Sequence, residues 1–457
     1  MTSSPRSLAL SALLDPRPGY VEDHLADRLA SSGLALRDRA LATEIVLGTV
    51  RRRGMLDAVL AAYSNRPLAD VHPFVLSALR IGLYQVLFLT RVPRHAAVGE
   101  SVEALKSVAM EHAAGFANGV LRALVRDLER EAAAGGATDP RRTLAAGNRT
   151  ARFGRDVFPD PSVDLAGHLA AVHSHPRWLA LRWLARLGRE RAEDLLRAGN
   201  ASLPVALRPH GRGPDDLARA LREAGAGCRI DEASGAVLLD HGSGPVEDLP
   251  GYAEGRFMVQ DPAQTRVGRA LAPRPGETVL ELAAAPGTKS CHLADLAPGV
   301  RIVAVDAGRG RLGRLLENVR RVGAQGIWPV AADALALPFP PDAAFPAVLL
   351  DAPCSNTAVL ARRVEVRWRL EPERIQERAA LQISLAREAA LRVAPGGRLV
   401  YSTCSLESEE NEEVVRGLIA GRPDLSLDAE ELTCPSSTSG GGYWARVVRE
   451  PARGRHP

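Results

Sequence analysis

This sequence of 457 residues is poor in cysteine and in net charge. Its five cysteines are unevenly spaced and do not form a disulfide framework, so we expect a protein of the reducing cytoplasm. It contains no run of about 18 apolar residues, the length that would span a bilayer. The N-terminal residues also lack the apolar core and cleavage site of a signal peptide, so we expect no membrane partner. With a net charge of only +4, any contact with nucleic acid must come from local patches.

Lysine is almost absent. Only Lys106 and Lys289 occur, and arginine fills nearly every other basic position, a bias that we attribute to genome composition. An ammonium group is small and strongly hydrated, and a guanidinium does not replace it in a tight site. Lys289 is therefore a candidate functional residue.

The length and composition indicate a soluble globular protein of roughly three domains. Hydrophobic residues make up 46% of the chain and charged residues 25%, as in ordinary soluble proteins. Residues 1–135 contain leucines at helical spacing, such as Leu79 and Leu83, and we predict an all-α domain there. A Gly- and Ala-rich stretch predicts a linker over 136–165. Mixed helical and strand-like patterns predict a small α/β lobe over 166–255.

Strand and helix patterns alternate over residues 256–450. They predict a Rossmann-like α/β domain with a mostly parallel sheet covered on both faces. Amphipathic helices are expected at 311–322 and 374–393, and the turn Pro395-Gly396-Gly397 should end the second helix and begin a strand. The strands predicted in the small lobe and in this domain are 205–208, 228–230, 236–239, 278–282, 301–306, 327–330, 347–351, 398–402 and 443–448.

The segment Ala285-Pro286-Gly287-Thr288-Lys289 leaves a predicted strand and enters a helix. Backbone N–H groups at a helix N-terminus attract polar or anionic groups, and a glycine allows close approach. The chain has no G-x-G-x-x-G here, which disfavours a dinucleotide and favours S-adenosylmethionine. Asp306 ends the next strand and Asp333 follows the one after it, and they are expected to bind the ribose and the adenine of this cofactor. Either aspartate alone is also explained as a helix cap or turn former.

Two thiols follow strands of the same predicted sheet. Cys354 lies in Asp351-Ala-Pro-Cys354-Ser355, and Cys404 lies in Tyr401-Ser-Thr-Cys404-Ser405. A single cysteine is usually an inert small hydrophobe. Two at the ligand-binding edge of one sheet indicate chemistry instead. No further ligands with metal-site spacing accompany them, so we expect no metal.

A thiol, a carboxylate and a nucleotide-like cofactor suit methyl transfer to carbon 5 of a pyrimidine. In this hypothesis the Cys404 thiolate adds to carbon 6 of a cytosine, which makes carbon 5 nucleophilic. Asp351 would hydrogen-bond the cytosine amino group, and Cys354 would assist proton removal or product release. Lys289 would either lower a thiol pKa or orient Asp351.

These motifs resemble the Sun/Fmu family of RNA cytosine-5 methyltransferases over nearly the whole chain. The resemblance implies S-adenosylmethionine as cofactor, Cys404 as nucleophile and Cys354 as the thiol that assists release. Residues 38–51, 79–87, 92–102 and 118–122 resemble the NusB-like helical RNA-binding domain, which points to the branch of the family that acts on bacterial 16S ribosomal RNA. The other matching segments are 257–264, Asp306 with Arg311, Asn318, 351–355, Arg362 and Arg363 with Trp368, 403–405 and 410–412.

The predicted site therefore comprises a catalytic set, Cys404, Cys354, Asp351 and Lys289, and a cofactor-binding set. We expect the enzyme to be a monomer that binds RNA. The cofactor-binding set is Ala283, Ala284, Ala285, Pro286, Gly287, Thr288, Lys289, Asp306, Arg311, Asp333 and Asp351.

The sequence departs from the family pattern at three places. Thr288 replaces a glycine of the cofactor loop, Ser355-Asn-Thr-Ala358 replaces a glycine-containing run, and 364–366 replaces a Pro-Asp pair. These loops should face RNA, so we expect the choice of substrate to have changed more readily than the chemistry. Three alternatives stay open: a DNA cytosine-5 methyltransferase using Cys354, an amino-methyltransferase without a working thiol, and a non-catalytic RNA-binding protein. A transfer-RNA substrate is the alternative within the favoured chemistry.

Overall fold

The computed structural model describes residues 4–134, 138–147, 149–240 and 242–451, which form two compact units. Unit 1 comprises the described residues up to Asn200 together with Val364–Arg369, and unit 2 comprises Ala201–Arg363 and the described residues from Leu370 on. The helices are α1 Pro5–Leu13, α2 Val21–Ala30, α3 Leu36–Arg51, α4 Arg53–Tyr63, α5 Pro73–Phe88, α6 Arg94–Glu103, α7 Ala114–Ala134, α8 Leu165–Val172, α9 Arg177–Leu187, α10 Arg189–Ala198, α11 Pro214–Glu223, α12 Pro262–Leu271, α13 Thr288–Leu296, α14 Arg309–Val322, α15 Val366–Arg369, α16 Pro372–Leu391 and α17 Glu412–Ala420. The strands are β1 Thr143–Ala146, β2 Arg149–Arg152, β3 Ala206–Pro209, β4 Cys228–Asp231, β5 Ala236–Leu239, β6 Phe257–Val259, β7 Thr278–Leu282, β8 Arg301–Asp306, β9 Ile327–Ala331, β10 Phe345–Asp351, β11 Val393–Thr403, β12 Leu425–Thr433 and β13 Gly442–Arg449.

Unit 1 is helical around the central helix α5, which is apolar on nearly all sides and buried along most of its length. Pro73 occupies its first turn, where the missing N–H costs nothing. Gln85 in the middle of α5 is fully buried, and its amide links three helices. It accepts from Arg6 Nε of α1 (3.0 Å) and donates to Ser101 Oγ of α6 (3.0 Å). The prediction of an all-α N-terminal domain is confirmed.

The structure groups the residues after this domain differently from the predicted linker and lobe. Residues 136–165 carry the β1–β2 hairpin, and Leu144, Phe153 and Phe158 of this stretch are buried in the core of unit 1. Helices α8 to α10 also belong to unit 1. The linker expectation followed the Gly and Ala content near residue 135 and overlooked these large apolar side chains, which need a core to pack against.

The segment Val364–Arg369 is also part of unit 1, although the residues on either side of it belong to unit 2. Trp368 Nε1 donates to the carbonyl of Val50 (2.8 Å), and the backbone N–H of Val21 donates to Glu365 (2.7 Å). Arg367 is completely buried, and its guanidinium donates to the side-chain oxygen of Asn200 (2.8 Å). The segment is therefore fixed by directed hydrogen bonds.

Unit 2 contains a seven-stranded sheet in the order β12-β13-β11-β10-β7-β8-β9. Strands β11, β10, β7, β8 and β9 are parallel, whereas β13 and β12 are antiparallel additions at one edge. Because the parallel strands end at the same edge, the loops after β7, β8, β10 and β11 converge there. A second sheet, β4-β5-β3-β6, forms the small lobe. The predicted Rossmann-like fold is confirmed.

Some strand predictions were incomplete. Besides β1 and β2, the strands β6 and β12 were not predicted, and β11 begins at Val393, before the Pro395-Gly396-Gly397 turn. The pairing with β10 jumps from Val393 to Arg398, so this turn is an irregularity inside the strand rather than its start. No helix among the described residues combines the length and the apolar character needed to cross a membrane.

Two glycines of unit 2 allow the destabilisation caused by backbone strain to be compared with that caused by a steric clash. Gly255 and Gly276 both have positive φ, +68° and +71°. A Cβ at Gly255 would lie 2.1 Å from the carbonyl oxygen of Arg321, whereas a Cβ at Gly276 would meet nothing within 4 Å. Gly276→Ala should lower the free energy of unfolding by about 1–2 kcal/mol from strain alone. Gly255→Ala should lose a further 1–3 kcal/mol or so from the clash with rigid backbone.

Urea denaturation of both variants measures this difference. Equal losses for the two alanines would contradict the close backbone approach at Gly255.

Candidate active site

The predicted acid and amine meet at the edge of the large sheet. Asp351 is the last residue of β10, and its Oδ2 accepts from Lys289 Nζ at 2.6 Å. Its Oδ1 accepts from Ser402 Oγ at 2.8 Å, and Ser402 is the register partner of Asp351 on β11. The carboxylate is thus fixed from two sides. Of the two roles predicted for Lys289, the geometry shows direct contact with Asp351.

Lys289 is a buried cation, only 8% exposed, in the first turn of α13. Burial opposes its charge, but the acidic groups around it, Asp351 first, raise the pKa of its ammonium above the ordinary value. The amine is therefore firmly protonated at neutral pH. Its charge acts on Asp351 directly and on the Cys404 thiol through space.

The predicted cofactor loop connects β7 to α13. It folds back on itself through a hydrogen bond from Gly287 N to the carbonyl of Ala284 (2.8 Å), and Gly287 has a φ of +90°. A Cβ at Gly287 would lie 2.8 Å from the side chain of Leu315, so the position requires glycine both for its φ and for its space. The peptide bond between Ala285 and Pro286 is cis. The loop brings Thr288 and its N–H to the start of α13, where a polar ligand is favoured.

The predicted ribose and adenine ligands differ in their surroundings. Asp306 is 3% exposed at the end of β8, and its oxygens accept from the backbone N–H groups of Gly308 (2.8 Å) and Ala285 (3.2 Å). Arg311, whose side chain is 64% exposed, reaches it at 2.8 Å. Asp333 is exposed and caps its own turn by accepting from Leu335 N (2.9 Å). Asp306 and Arg311 therefore adjoin the loop, while the role of Asp333 stays a prediction.

The two thiols are neighbours. The backbone N–H of Cys404 donates to Sγ of Cys354 at 3.2 Å, and the side-chain amide of Gln264 donates to Sγ of Cys404 at 3.3 Å. Both residues keep some exposure, but protein atoms crowd their sulfurs. Desolvation first, and then Asp351, raises the pKa of Cys404 to about 12 against the lowering effect of Lys289, and desolvation also raises the pKa of Cys354 well above its ordinary value. Both are resting thiols, so a thiolate must form during the reaction.

A buried carboxylate connects the two thiol-bearing loops. Glu410 is completely buried, and it accepts from the backbone N–H of Ser355 (2.8 Å) and from the hydroxyls of Ser355 and Ser405. Gln382 Nε2 donates to it as well (3.2 Å). Ser355 follows Cys354, and Ser405 follows Cys404, so one side chain holds both loops. Desolvation nevertheless raises the pKa of Glu410.

Two other carboxylates at the site were given no role by sequence reasoning. Glu281 lies in the middle of β7, 1% exposed, and accepts from Ser290 Oγ at 2.6 Å. Asp261 caps α12 and accepts from Arg362 Nε (2.7 Å) and Ser439 Oγ (2.6 Å). No local pattern distinguishes these acids from ordinary strand or capping residues: Glu281 lies in an apolar strand, and Arg362 and Ser439 are distant from Asp261 in sequence.

The described residues contain no group of three or more His, Cys, Asp or Glu side chains that could hold a metal ion. What they do bring together is a thiol pair, an ion-paired carboxylate and a glycine loop at a helix start. This donor set suits covalent catalysis by sulfur with a nucleoside-containing cosubstrate.

Comparison with known proteins agrees with this arrangement. Residues 268–448 match the family described as 16S rRNA methyltransferase RsmB/F, and residues 3–126 match the NusB family. The chain is 31% identical over 433 residues to the probable ribosomal RNA small subunit methyltransferase B of Bacillus subtilis, covering 93% of this chain and 90% of that protein. It is 32% identical over 426 residues to ribosomal RNA small subunit methyltransferase B of Klebsiella pneumoniae, covering 90% of each.

Two solved structures share the fold. The crystal structure of PH0851 has a TM-score of 0.75 at 23% identity and covers 98% of both chains. The structure of NSun6 from Pyrococcus horikoshii with SFG has a TM-score of 0.54 at 19% identity, covering 60% of this chain and 98% of that one.

The buried acid Glu281 predicts a pH dependence of stability. Burial raises the pKa of its carboxyl to about 7 in the folded chain, above the value of about 4.3 for an exposed glutamate. The folded state keeps a proton that the unfolded chain loses, so stability falls as the pH rises between these two values. Glu281→Gln retains an oxygen that can accept from Ser290 and should remove this loss, which amounts to about 4 kcal/mol at most.

Thermal unfolding of wild type and variant from pH 5 to pH 8 measures the effect. The exposed Glu413→Gln on α17 is the charge-matched control, and it should follow wild type. Parallel curves for wild type and Glu281→Gln would contradict the prediction.

Proposed function

This chain belongs to the 16S rRNA methyltransferase RsmB/F family, and on that premise we propose that it methylates carbon 5 of a cytosine in 16S ribosomal RNA. The proposed methyl donor is S-adenosylmethionine. The observation that carries the proposal is the pair of adjacent thiols beside the Asp351–Lys289 ion pair at the ligand-binding edge of the sheet. Ribosomal RNA as substrate also agrees with the cytoplasmic location expected from the cysteines.

The described residues fit the donor at one end of the site. Gly287 presents its backbone without a side chain, the N-terminus of α13 offers N–H groups, and Asp306 provides a buried carboxylate beside the loop. S-adenosylmethionine supplies an electrophilic methyl group when bound. Asp306, with the exposed Arg311 ion-paired to it at 2.8 Å, would hold the donor beside the loop.

The thiols and the carboxylate act on the base. As Cys404 loses its proton, its sulfur bonds to carbon 6 of the cytosine, and the electrons of the 5,6 double bond move toward N3, which takes up a proton. Asp351, held in place by Lys289 and Ser402, accepts a hydrogen bond from the exocyclic amino group. Carbon 5 then attacks the methyl group, whose bond to the donor's sulfur breaks so that the demethylated donor leaves, and N3 gives back its proton. Loss of the carbon 5 proton to a base restores the double bond and releases the Cys404 sulfur.

The assignment of Cys404 as nucleophile and Cys354 as the releasing thiol is part of this proposal. The support is electrostatic. Two cations, Lys289 and Arg363, lower the pKa of the Cys404 thiol and so oppose the effect of its desolvation. For Cys354, desolvation, Cys404 and Glu410 raise the thiol pKa, and the groups that lower it are the backbone N–H groups of Asn356 and Cys404 rather than a cation.

The proposal is tested by methyl transfer from labelled S-adenosylmethionine to protein-free small-subunit ribosomal RNA, with transfer RNA as a second substrate. Wild type should form 5-methylcytosine in ribosomal RNA. Cys404→Ala should give neither product nor covalent adduct, a loss of at least about 10³-fold. Cys354→Ala should accumulate a protein–RNA adduct on a denaturing gel.

Cys434→Ala is the matched control, because this thiol is exposed and is expected to leave activity unchanged. Activity that survives the loss of Cys404 would contradict the assignment. Methylation confined to transfer RNA would support the proposed chemistry and contradict ribosomal RNA as the substrate.

We also propose that the NusB-like domain contacts RNA through a groove between α6 and α7, here called the α6–α7 groove. It has a volume of about 650 Å³ and is lined by Arg94, His95, Arg122 and Arg126 around apolar Val98 and Val125, with Glu129 as an acidic member paired to Arg94 at 3.7 Å. His95, Arg122 and Arg126 are exposed. Cationic side chains beside small apolar ones suit a phosphate backbone with unstacked bases. The low net charge of the chain makes such a local patch the expected form of contact.

Neutralising this groove should weaken RNA binding. The double variant Arg122→Gln/Arg126→Gln should reduce affinity and lower the slope of log K against log salt by about 1 to 2. Arg37→Gln/Arg39→Gln on α3, equally exposed and in the same unit, should bind as wild type. Filter binding from 50 to 200 mM salt measures both. Equal slopes for the two double variants would contradict RNA contact through the α6–α7 groove.

A further inference from the structure

We propose that Gln264 is a catalytic residue that stabilises the thiolate of Cys404 by donating a side-chain N–H to its sulfur. This inference rests on the proposed function in one respect, that Cys404 is the reacting thiol. Its evidence is independent, because it comes from the packing around the sulfur rather than from any likeness.

The first evidence is the contact itself. Nε2 of Gln264 lies 3.3 Å from Sγ of Cys404, and it is a side-chain donor that touches this sulfur directly. Lys289, the nearest buried cation, has its ammonium on Asp351 at 2.6 Å. The direct partner of the sulfur is thus a neutral amide, which can follow the sulfur through the reaction without giving up a proton.

The second evidence is the way the amide is held. Gln264 lies in the first turn of α12, and the start of that helix is fixed by Asp261, which accepts from Ala263 N (3.0 Å) and from Gly440 N (2.9 Å). Arg362 and Ser439 bind the same carboxylate. A helix start held by four donors leaves the side chain at its first turn little freedom.

The third evidence is the space that Gly442 leaves open. A Cβ on Gly442 would lie 3.2 Å from Nε2 of Gln264 and 2.7 Å from the carbonyl oxygen of Thr403. Glycine at this point of β13 therefore allows the amide to lie against the strand end that carries Cys404. A larger residue would push the amide away from the sulfur.

The fourth evidence is an unpaired oxygen. Oε1 of Gln264 is buried and has no hydrogen-bond partner among the described residues. A buried amide oxygen without a donor is costly unless something uses it. A rotation of the Gln264 amide group by about 180° brings this oxygen to the sulfur of Cys404, where it accepts a hydrogen bond from the S–H of the resting thiol. The amide thus serves both states: its oxygen accepts from the thiol, and its N–H donates to the thiolate.

The electrostatic balance explains why such a donor is needed. Desolvation raises the pKa of Cys404 to about 12, and Asp351 and Asp261 raise it as well, against Lys289 and Arg363. A hydrogen bond to a charged acceptor is about twice as strong as one between neutral groups, so the N–H favours thiolate over thiol. Without it, less thiolate forms at a given pH and the addition to carbon 6 slows.

The test measures the thiol itself, without RNA or methyl donor. The rate at which iodoacetamide alkylates Cys404 is followed from pH 6 to pH 10 by peptide mass spectrometry, with the exposed Cys434 as internal reference in the same digest. Gln264→Leu should slow alkylation of Cys404 about tenfold at neutral pH, the equivalent of about one unit in thiol pKa. Gln264→Glu, which adds a negative charge at the sulfur, should slow it more.

A purely structural role predicts a different result. Loss of packing would expose the sulfur and speed its alkylation, so unchanged or faster reaction of Cys404 in Gln264→Leu overturns the proposal. If Gln264→Leu does not fold, Gln264→Met keeps the length and apolar volume of the side chain without an N–H, and the same criterion applies.

Methyl transfer supplies the second readout. Gln264→Leu should lower kcat about tenfold with little change in KM for RNA, and the deficit should shrink as pH rises, since the missing donor matters less once hydroxide ionises the thiol. If wild type proves inactive on RNA while the alkylation shift is present, the proposed function fails and the role of Gln264 at the sulfur stands. If activity is present and both readouts match wild type, the Gln264 proposal alone fails.

Discussion

The catalytic edge depends on one buried carboxylate. Glu410 has no exposure, and four donors converge on it: the N–H and hydroxyl of Ser355, the hydroxyl of Ser405 and the amide of Gln382. Burying a carboxylate is expensive unless its oxygens are satisfied. The cost is offset here because the same donors belong to the loops that must be held. Removing the carboxylate would leave several buried donors unpaired, which is costly in its own right.

This clamp explains how two reactive loops hold one geometry. The strands β10 and β11 are parallel neighbours, so their C-terminal loops start side by side. Proximity of the strands does not fix the loops beyond them. Glu410 fixes them, and Asn411 adds a bond from its Nδ2 to the carbonyl of Ser405 (3.0 Å). The outcome is the 3.2 Å contact between Cys404 N and the sulfur of Cys354, a distance that two independent loops would not keep.

The sequence was informative where a signal is local and uninformative where it is not. Strands such as β7, β8 and β10 are short apolar runs that end in acids, glycine loops or thiols, and these were predicted together with the catalytic pair. The strand β12 was missed because it is an edge strand with alternating acidic and apolar residues that reads as loop. The contacts of Gln264 with Cys404 and of Glu410 with Ser355 join residues 140 and 55 positions apart, and no periodicity reports such pairs. The rarity of lysine singled out Lys289, but the sequence left open whether it acts on a thiol or on Asp351, and only the structure shows the ion pair with Asp351.

One departure from the family pattern, the run Ser355-Asn-Thr-Ala358, lies in a loop whose hydrogen bonds still hold the two thiols beside each other. Asn356 stands where relatives carry a small residue, and it adopts a left-handed backbone with φ of +60°. Asparagine tolerates this conformation better than most side chains, and its Nδ2 returns a hydrogen bond to the carbonyl of Cys354 (3.1 Å). Ala358 keeps the backbone bond from its N–H to the carbonyl of Cys404 (3.0 Å). In this chain the backbone of the loop is thus held against both thiol-bearing residues by its own hydrogen bonds. A change of side chains at 356–358 would therefore alter the surface that meets the substrate before it alters the positions of the thiols.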